Sequence, residues 1–408
     1  MNPEDPIGII ELGNTSLKCL IFKINSDNTF EILSTSKHSS QGIHNGVIVN
    51  SEKASETIRS CITSAEKKAN IFLKKINVII EQQDFLCTRF SKHKKIDGSK
   101  IHKEDIAFLL SEGKKQVTEN DNKQTIIHIF NHNYIVDGKA FIEEPINVFA
   151  NLLSHEMTFI TMPKSNLKNI NNVFLECEIE VERIFSSIFA QSVKLLKYNK
   201  LQEGAILIDL ELEKTSIGIF KNLALIHSQT FPIGINHLKK DLSKICSLNL
   251  EDSNNVISNI DYSFENNLNI FDDENNLKKS YFKNSISRKI SKNLITSVVK
   301  ARLDEIFSII KKQITISGIE VDLDMNFFII GEGFNISNLE NYFLKFFDLN
   351  KKKIEKCTSR QGNSLENDFI SCLGALKIIK EGWETEAIPE SVGKKVEKIG
   401  FLSKIFGK

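Results

Sequence analysis

"LIDLELEKTSIGIF", residues 207–220, has the outline of a strand, a tight turn and a returning strand. Asp209 ends the first strand, and the turn that follows reads Leu210-Glu211-Leu212-Glu213-Lys214. The same outline opens the chain, where residues 7–12 and 17–24 flank Gly13-Asn14, a strong local turn signal. Each hairpin leads into a further strand, near 28–36 after the first and near 223–231 after the second. A strand–turn–strand unit stated twice predicts an internal duplication, with two related α/β lobes facing each other across a cleft.

The segments between the hairpins extend this pattern. Residues 52–73 carry helical periodicity through Ala54, Ile58, Cys61, Ile62, Ala65 and Ala69, and "INVIIE" at 76–81 returns as a buried strand. Residues 82–160 read differently: a polar helix near 103–119 and the strand-like runs "TIIHIF" and "NYIVDGKAFI" predict an inserted module. A helix is predicted over 173–191. After the second hairpin come helices near 234–246 and 285–313, with the Asn- and Asp-rich stretch 259–284 reading as a mobile loop. A strand at 326–330 and helices at 336–347 and 366–380 close the body.

Composition narrows the functional classes. The 408 residues are 41% hydrophobic and 26% charged, enough to bury sizeable cores in two or three domains. Lys+Arg minus Asp+Glu is 53 − 52 = +1, and no basic stripe with interleaved aromatics points to nucleic acid. Seven scattered cysteines with no C-x-x-C fit free thiols in a reducing compartment better than a disulfide framework or a zinc site. His128 and His132 are four apart, but on a run that alternates like a strand, so they read as satisfied histidines rather than metal ligands. Neither a signal peptide nor an apolar run of about 18 residues is evident, and the expectation is a soluble cytoplasmic body.

Taken in order, these segments resemble the FtsA family of bacterial cell-division proteins, within the actin-like ATPase superfamily. "GIIELGNTSLK" resembles the family's first phosphate turn, "SSQGIHNGVIVN" (39–50) its Gly-x-x-x-Gly-x-Ile segment, and "YIVDG" with "EPINVFANLLSHE" (144–156) the end of its inserted subdomain. "FPIGINHLKKDL" (231–242) resembles its P-V-G-G-x-x-x-T-x-D run, "ISRKISKNLITSVVKARLDEIF" (286–307) its long helix, and "FIIGEGFNISNLENYF" (328–343) its adenosine-side turn. The resemblance implies an actin-like two-lobed α/β fold with a duplicated core and an α+β subdomain inserted in the first lobe. It divides the chain into a first lobe at 1–81 and 161–202, the insert at 82–160, a second-lobe core at 203–230 and 311–380, and a small second-lobe subdomain at 231–310. A linker at 381–400 and a C-terminal amphipathic helix at 401–408, or from about 391, complete the division.

The resemblance also implies ATP with Mg²⁺ as ligand, held by three turns. Its nucleotide-cleft candidates are Glu11, Gly13, Asn14 and Thr15 in the first turn, Asp209 and Lys214 in the second, Gly234 beyond it, and Gly331 and Gly333 in the third. Turn glycines in such a fold let backbone N–H groups approach phosphates closely. Here Glu211, Leu212 and Glu213 replace the glycines of the second turn, Lys214 replaces its hydroxyl residue, and Glu332 enters the third. The family's nearby Lys of the first turn aligns with Ser16, and Lys18 only shares its strand face. A carboxylate about 5 Å from a phosphate costs roughly 3 kcal/mol at an effective dielectric near 20, or about two decades of affinity. The expectation is a degenerate site, weak or lost ATP binding, no catalytic residue and no enzymatic activity.

At the other end, "VGKKVEKIGFLSKIFGK" follows a polar linker. On a helix, Phe401, Leu402, Ile405 and Phe406 share one face, with Lys404 and Lys408 on its flank. That fits a helix lying in the headgroup region of an anionic membrane. Partial burial of four such side chains supplies about 4–8 kcal/mol, and each lysine near anionic lipid about 1 kcal/mol. Ordering so short a helix opposes this, so several copies on one surface are needed for firm attachment. The resemblance implies a peripheral scaffold at the division site on the cytoplasmic face of the inner membrane. Its implied partners are FtsZ, copies of itself and other division proteins in septum assembly, and Arg302 and Glu305 match the positions that receive the FtsZ peptide. An actin-like component of a pilus or secretion platform is the alternative, and an actin-fold kinase a more distant one.

Overall fold

A computed structural model describes residues 5–262, 269–318, 325–331, 338–349, 354–356 and 364–381. The first hairpin joins β1 (Ile7–Leu12) to β2 (Ser16–Ile24) with Glu11 directly opposite Lys18. β3 (Phe30–Ser39) adds to β2, and the short β4 (Ile43–His44) and β5 (Val47–Ile48) pair with each other. Helix α1 (Ser51–Ala69) starts where Asn50 Oδ1 accepts the Lys53 amide at 2.9 Å, and stops where Asn70 turns left-handed at φ 54°. Its stripe of Ala54, Ile58, Cys61, Ile62 and Ala65 is buried where the helix crosses β2 and β3. β6 (Lys75–Ile80) then returns parallel to β1.

The chain leaves this sheet to build the insert: β7 (Leu86–Lys95), α2 (Lys103–Asn120), β8 (Gln124–Val136), β9 (Lys139–Phe141) and β10 (Leu152–Pro163). The four strands are antiparallel in the order β7-β10-β8-β9, and α2 packs on them over Ile106, Leu109 and Leu153. The insert also touches the second half of the chain. Asn222 Nδ2 donates to Asn133 Oδ1 at 2.7 Å, and Arg89 Nη1 to the Ser317 carbonyl at 3.1 Å.

Back in the first lobe, α3 (Lys164–Glu176) precedes β11 (Glu180–Ser186), α4 (Ser187–Leu195) and α5 (Tyr198–Glu203). The helix predicted over 173–191 is therefore wrong. Val181, Ile184 and Phe185 instead pair parallel to β6, and the ladder on an already formed strand outweighs local helical preference.

The second lobe repeats the first. Its strands are β12 (Ala205–Leu210), β13 (Thr215–Lys221) and β14 (Ala224–Phe231), and its helices begin with α6 (Asn236–Ile245), α7 (Leu250–Asn259) and α8 (Lys292–Ile316). β15 (Asn326–Ile330), α9 (Leu339–Phe347), β16 (Ile354–Lys356), α10 (Ser364–Asp368) and α11 (Ile370–Lys380) follow. Strand orders are β11-β6-β1-β2-β3 in one lobe and β14-β13-β12-β15-β16 in the other. Read from the hairpin outward, the two are the same: two antiparallel pairings on one side of the founding strand, two parallel pairings on the other.

Three further expectations change. The long helix begins at Lys292, capped by Ser291, rather than at 285. The described part of 259–284 is packed rather than mobile: Ile270, Phe271 and Leu277 are buried and Phe271 bridges to Leu277. Finally, α11 belongs with the first lobe, not with the second-lobe core to which its place in the chain assigns it. It packs along α4 and reaches β1 and β2, so closely that a Cβ on Gly374 would sit 1.8 Å from the Ala190 carbonyl oxygen.

Candidate functional site in the cleft between the lobes

Because the two sheets are built alike, the β1–β2 and β12–β13 turns meet at one place. A cavity of about 780 Å³ opens there. It gathers Glu11, Gly13, Asn14, Thr15, Asp209 and Gly331 from the sequence-derived candidates, and adds Gln191, Glu211, Asp368 and Ser371. Gly331 stands at φ +97°, and a Cβ there would lie 2.3 Å from the Leu210 oxygen, so only glycine fits the end of β15.

Several polar groups of the cleft are paired with one another. Lys18 Nζ lies 3.0 Å from Glu11 Oε2, and Ser371 Oγ donates to Glu11 Oε1 at 2.9 Å. The Glu11 charge beside it raises the Lys18 ammonium above its ordinary range. Asn14 is turned to Asn45, donating from Nδ2 at 2.7 Å and accepting its amide at Oδ1. Lys37 is paired with Asp368 at 3.0 Å. Asp209 is buried and accepts from Gln191 Nε2 at 2.9 Å; burial, then the neighbouring Glu211 charge, push its carboxyl up to about 7.

The second turn folds on itself. The Glu211 amide donates to the Lys214 carbonyl at 3.0 Å, and the Glu211 and Leu212 carbonyls accept the Ile235 and Asn236 amides at the start of α6. Glu213 is held by Asn236 Nδ2 at 2.7 Å and Lys240 Nζ at 3.2 Å. Two candidates stand apart from the cavity lining. Gly234 packs on the turn's backbone, where a Cβ would meet the Glu211 oxygen at 2.4 Å. Lys214 is buried and directs its ammonium to the Glu81 carbonyl at 3.5 Å, with Glu211 Oε2 at 3.9 Å. Lys18, expected merely to share a face, instead forms the ion pair with Glu11.

The described lining of the cleft holds the Glu11, Asp209 and Glu211 carboxyls, with Lys18 paired to Glu11 and Lys37 to Asp368, beside the hydroxyls of Thr15, Ser16 and Ser39. Glu332 and Gly333 lie outside the described residues, as do Phe401, Leu402, Lys404, Ile405 and Phe406. Gln191 and Ser371 were not legible in the sequence: Gln191 sits on α4 with no local signal that turns it to the cleft, and Ser371 reaches Glu11 across 360 positions. Among the described residues, no His, Cys, Asp and Glu group is arranged to hold a metal, and no helix is long and apolar enough to cross a membrane. His128 is a buried core residue: its Nε2 accepts the Ser186 amide at 3.0 Å, its Nδ1 meets no hydrogen-bond partner among the described residues, and burial holds its imidazole well below its usual range.

Away from the cleft, Arg302 and Glu305 share a face of α8 and contact each other. Arg302 also grips Asp241 of α6 through Nε at 2.6 Å and Nη2 at 3.1 Å. The two candidates thus sit in one polar cluster tying α6 to α8.

Comparison with known proteins agrees with this architecture. The family model described as "SHS2 domain inserted in FTSA" matches residues 84–161, the stretch that carries β7 to β10. The cell division protein FtsA of Agrobacterium fabrum is 22% identical over 322 residues, covering 76% of this chain and 72% of that protein. FtsA of Buchnera aphidicola is 25% identical over 305 residues, with 75% and 71% covered. FtsA of Neisseria meningitidis is 22% identical over 347 residues, with 84% and 82% covered. Among solved structures, a chain of a PilM-PilN type IV pilus biogenesis complex superposes with TM-score 0.60 at 9% identity, covering 92% of this chain and 99% of that one. MreB5 of Spiroplasma citri bound to ADP gives 0.52 at 12% identity, with 92% and 98% covered. These neighbours share the actin fold. With that fold, an insert that matches the family model and relatives of that name along most of its length, the chain is similar to the FtsA cell-division proteins across its actin-like body.

Proposed function

We propose that this protein is a division scaffold that ties FtsZ filaments to the cytoplasmic face of the inner membrane and recruits other division proteins. The family-specific insert in an actin-like body carries this reading. Two features support it. Arg302, partly buried between Asp241 and Glu305, and the more exposed Glu305 form an ion cluster on the second lobe that a peptide bearing both charges could share. The sequence beyond residue 381 ends in the basic, apolar segment around Phe401–Phe406. The cleft acts as structure rather than as a catalytic site, because its carboxylates and its paired lysine disfavour a nucleoside triphosphate.

Flotation of FtsZ with anionic liposomes tests this reading, using the full chain and a version ending before Phe401. FtsZ rising only with the full chain supports the scaffold. If the protein rises and leaves FtsZ behind, FtsZ is not its partner. If nothing rises, the membrane role is overturned and a pilus- or secretion-platform role becomes the better reading.

A further inference from the structure

The second turn's lysine has a use that the cleft does not explain. Glu81 follows β6 in the first lobe and is buried. Its carboxylate accepts from Ser186 Oγ at 2.8 Å and from the Ile188 amide at 2.9 Å, both within that lobe. Its other oxygen accepts from Thr230 Oγ1 at 3.2 Å, on β14 of the second lobe. Thr230 is steadied there by Ser216 Oγ at 2.9 Å. Lys214, also of the second lobe and also buried, brings its ammonium to the Glu81 carbonyl at 3.5 Å. One acid of the first lobe is thus bonded to both lobes and faced by a cation of the second.

We propose that Lys214, Thr230 and Glu81 form a built-in tie that holds the two lobes together at the base of the cleft without a ligand. In an open two-lobed fold, a bound molecule that contacts both halves favours the closed form by its differential affinity. Here the same role falls to side chains of the chain itself. A buried charge is tolerated only when paired and hydrogen-bonded, and the Thr230 and Lys214 bonds that satisfy Glu81 from the second lobe exist only while the lobes are in contact. The lysine that entered the second turn therefore works inward, on the lobe contact. The proposal uses neither the tail nor Arg302, so it stands or falls independently of the FtsZ and membrane reading.

Interlobe distance measured between fluorophores at positions 53 and 312 of the full chain, without nucleotide, tests it. The parent should show one narrow distribution that added Mg²⁺ and ATP leave in place. Lys214→Met and Thr230→Val, singly and together, should shift it to longer and broader distances. Thr230→Val keeps both charges and a near-identical shape, so it decides the matter if Lys214→Met fails to fold. A combined variant that keeps the parent's narrow distribution overturns the tie. So does a parent that is broad on its own and narrows only when ATP is added.

Discussion

At the scale of single residues, the cleft is defined by Asp209 and Gly331. The Asp209 carboxyl, lifted to about 7 by burial and the Glu211 charge, holds its proton in the folded protein well above the ordinary carboxylate range. Its contribution to stability is full below about pH 4 and is lost as pH rises through about 7, because ionising it in place costs more than in the unfolded chain. Asp209→Asn removes that loss. Denaturant unfolding of both proteins from pH 4 to pH 8 should show the variant gaining on the parent by about 4 kcal/mol; parallel profiles would refute the assignment. Gly331→Ala places a Cβ on the Leu210 carbonyl at a left-handed φ. It should lower unfolding stability by about 1–3 kcal/mol, read from the shift in denaturation midpoint.

At the scale of elements, α8 carries the pair proposed for peptide recognition. Arg302 is shared between Asp241 on α6 and Glu305 one turn along its own helix. On the scaffold reading, Arg302→Ala should weaken binding of an FtsZ C-terminal peptide about tenfold or more, from one to two lost charge-assisted bonds. Fluorescence anisotropy would measure it, with thermal unfolding of the same variant as the control for lost α6–α8 contact. An affinity equal to the parent's would move the peptide site elsewhere. Helix α11 matters in a different way. It carries Ser371 to Glu11 and lies flat on α4 because Gly374 presents no side chain to Ala190. The end of the described chain is thereby anchored in the first lobe.

At the scale of the molecule, two like sheets enclose a cleft whose walls are mostly satisfied by one another. Calorimetric titration with ATP and Mg²⁺ should accordingly show no binding at micromolar concentrations. Binding at or below that range would mean that the carboxylates of the second turn swing away from the phosphates. Assembly into filaments, if governed by membrane and partner density, should then proceed equally with and without nucleotide in sedimentation assays on liposomes.

Much of this architecture was legible because it is written locally. Apolar runs such as Ile7–Leu12 and Ala205–Leu210 are strands buried on both faces, and period-2 or period-3.6 patterning needs no knowledge of distant contacts. The duplication, the insert and the two turns followed from that. The strand β11 was not legible, because its seven residues become a strand only on meeting β6. Nor were the partners of the site. Lys214 meets Glu81 across 133 positions, and Ser371 meets Glu11 across 360. Sequence alone determined which residue types stand at the cleft, Glu211 among them. Tertiary structure decided which way each charge points, because the cost of burying an ion is settled by its neighbours in space.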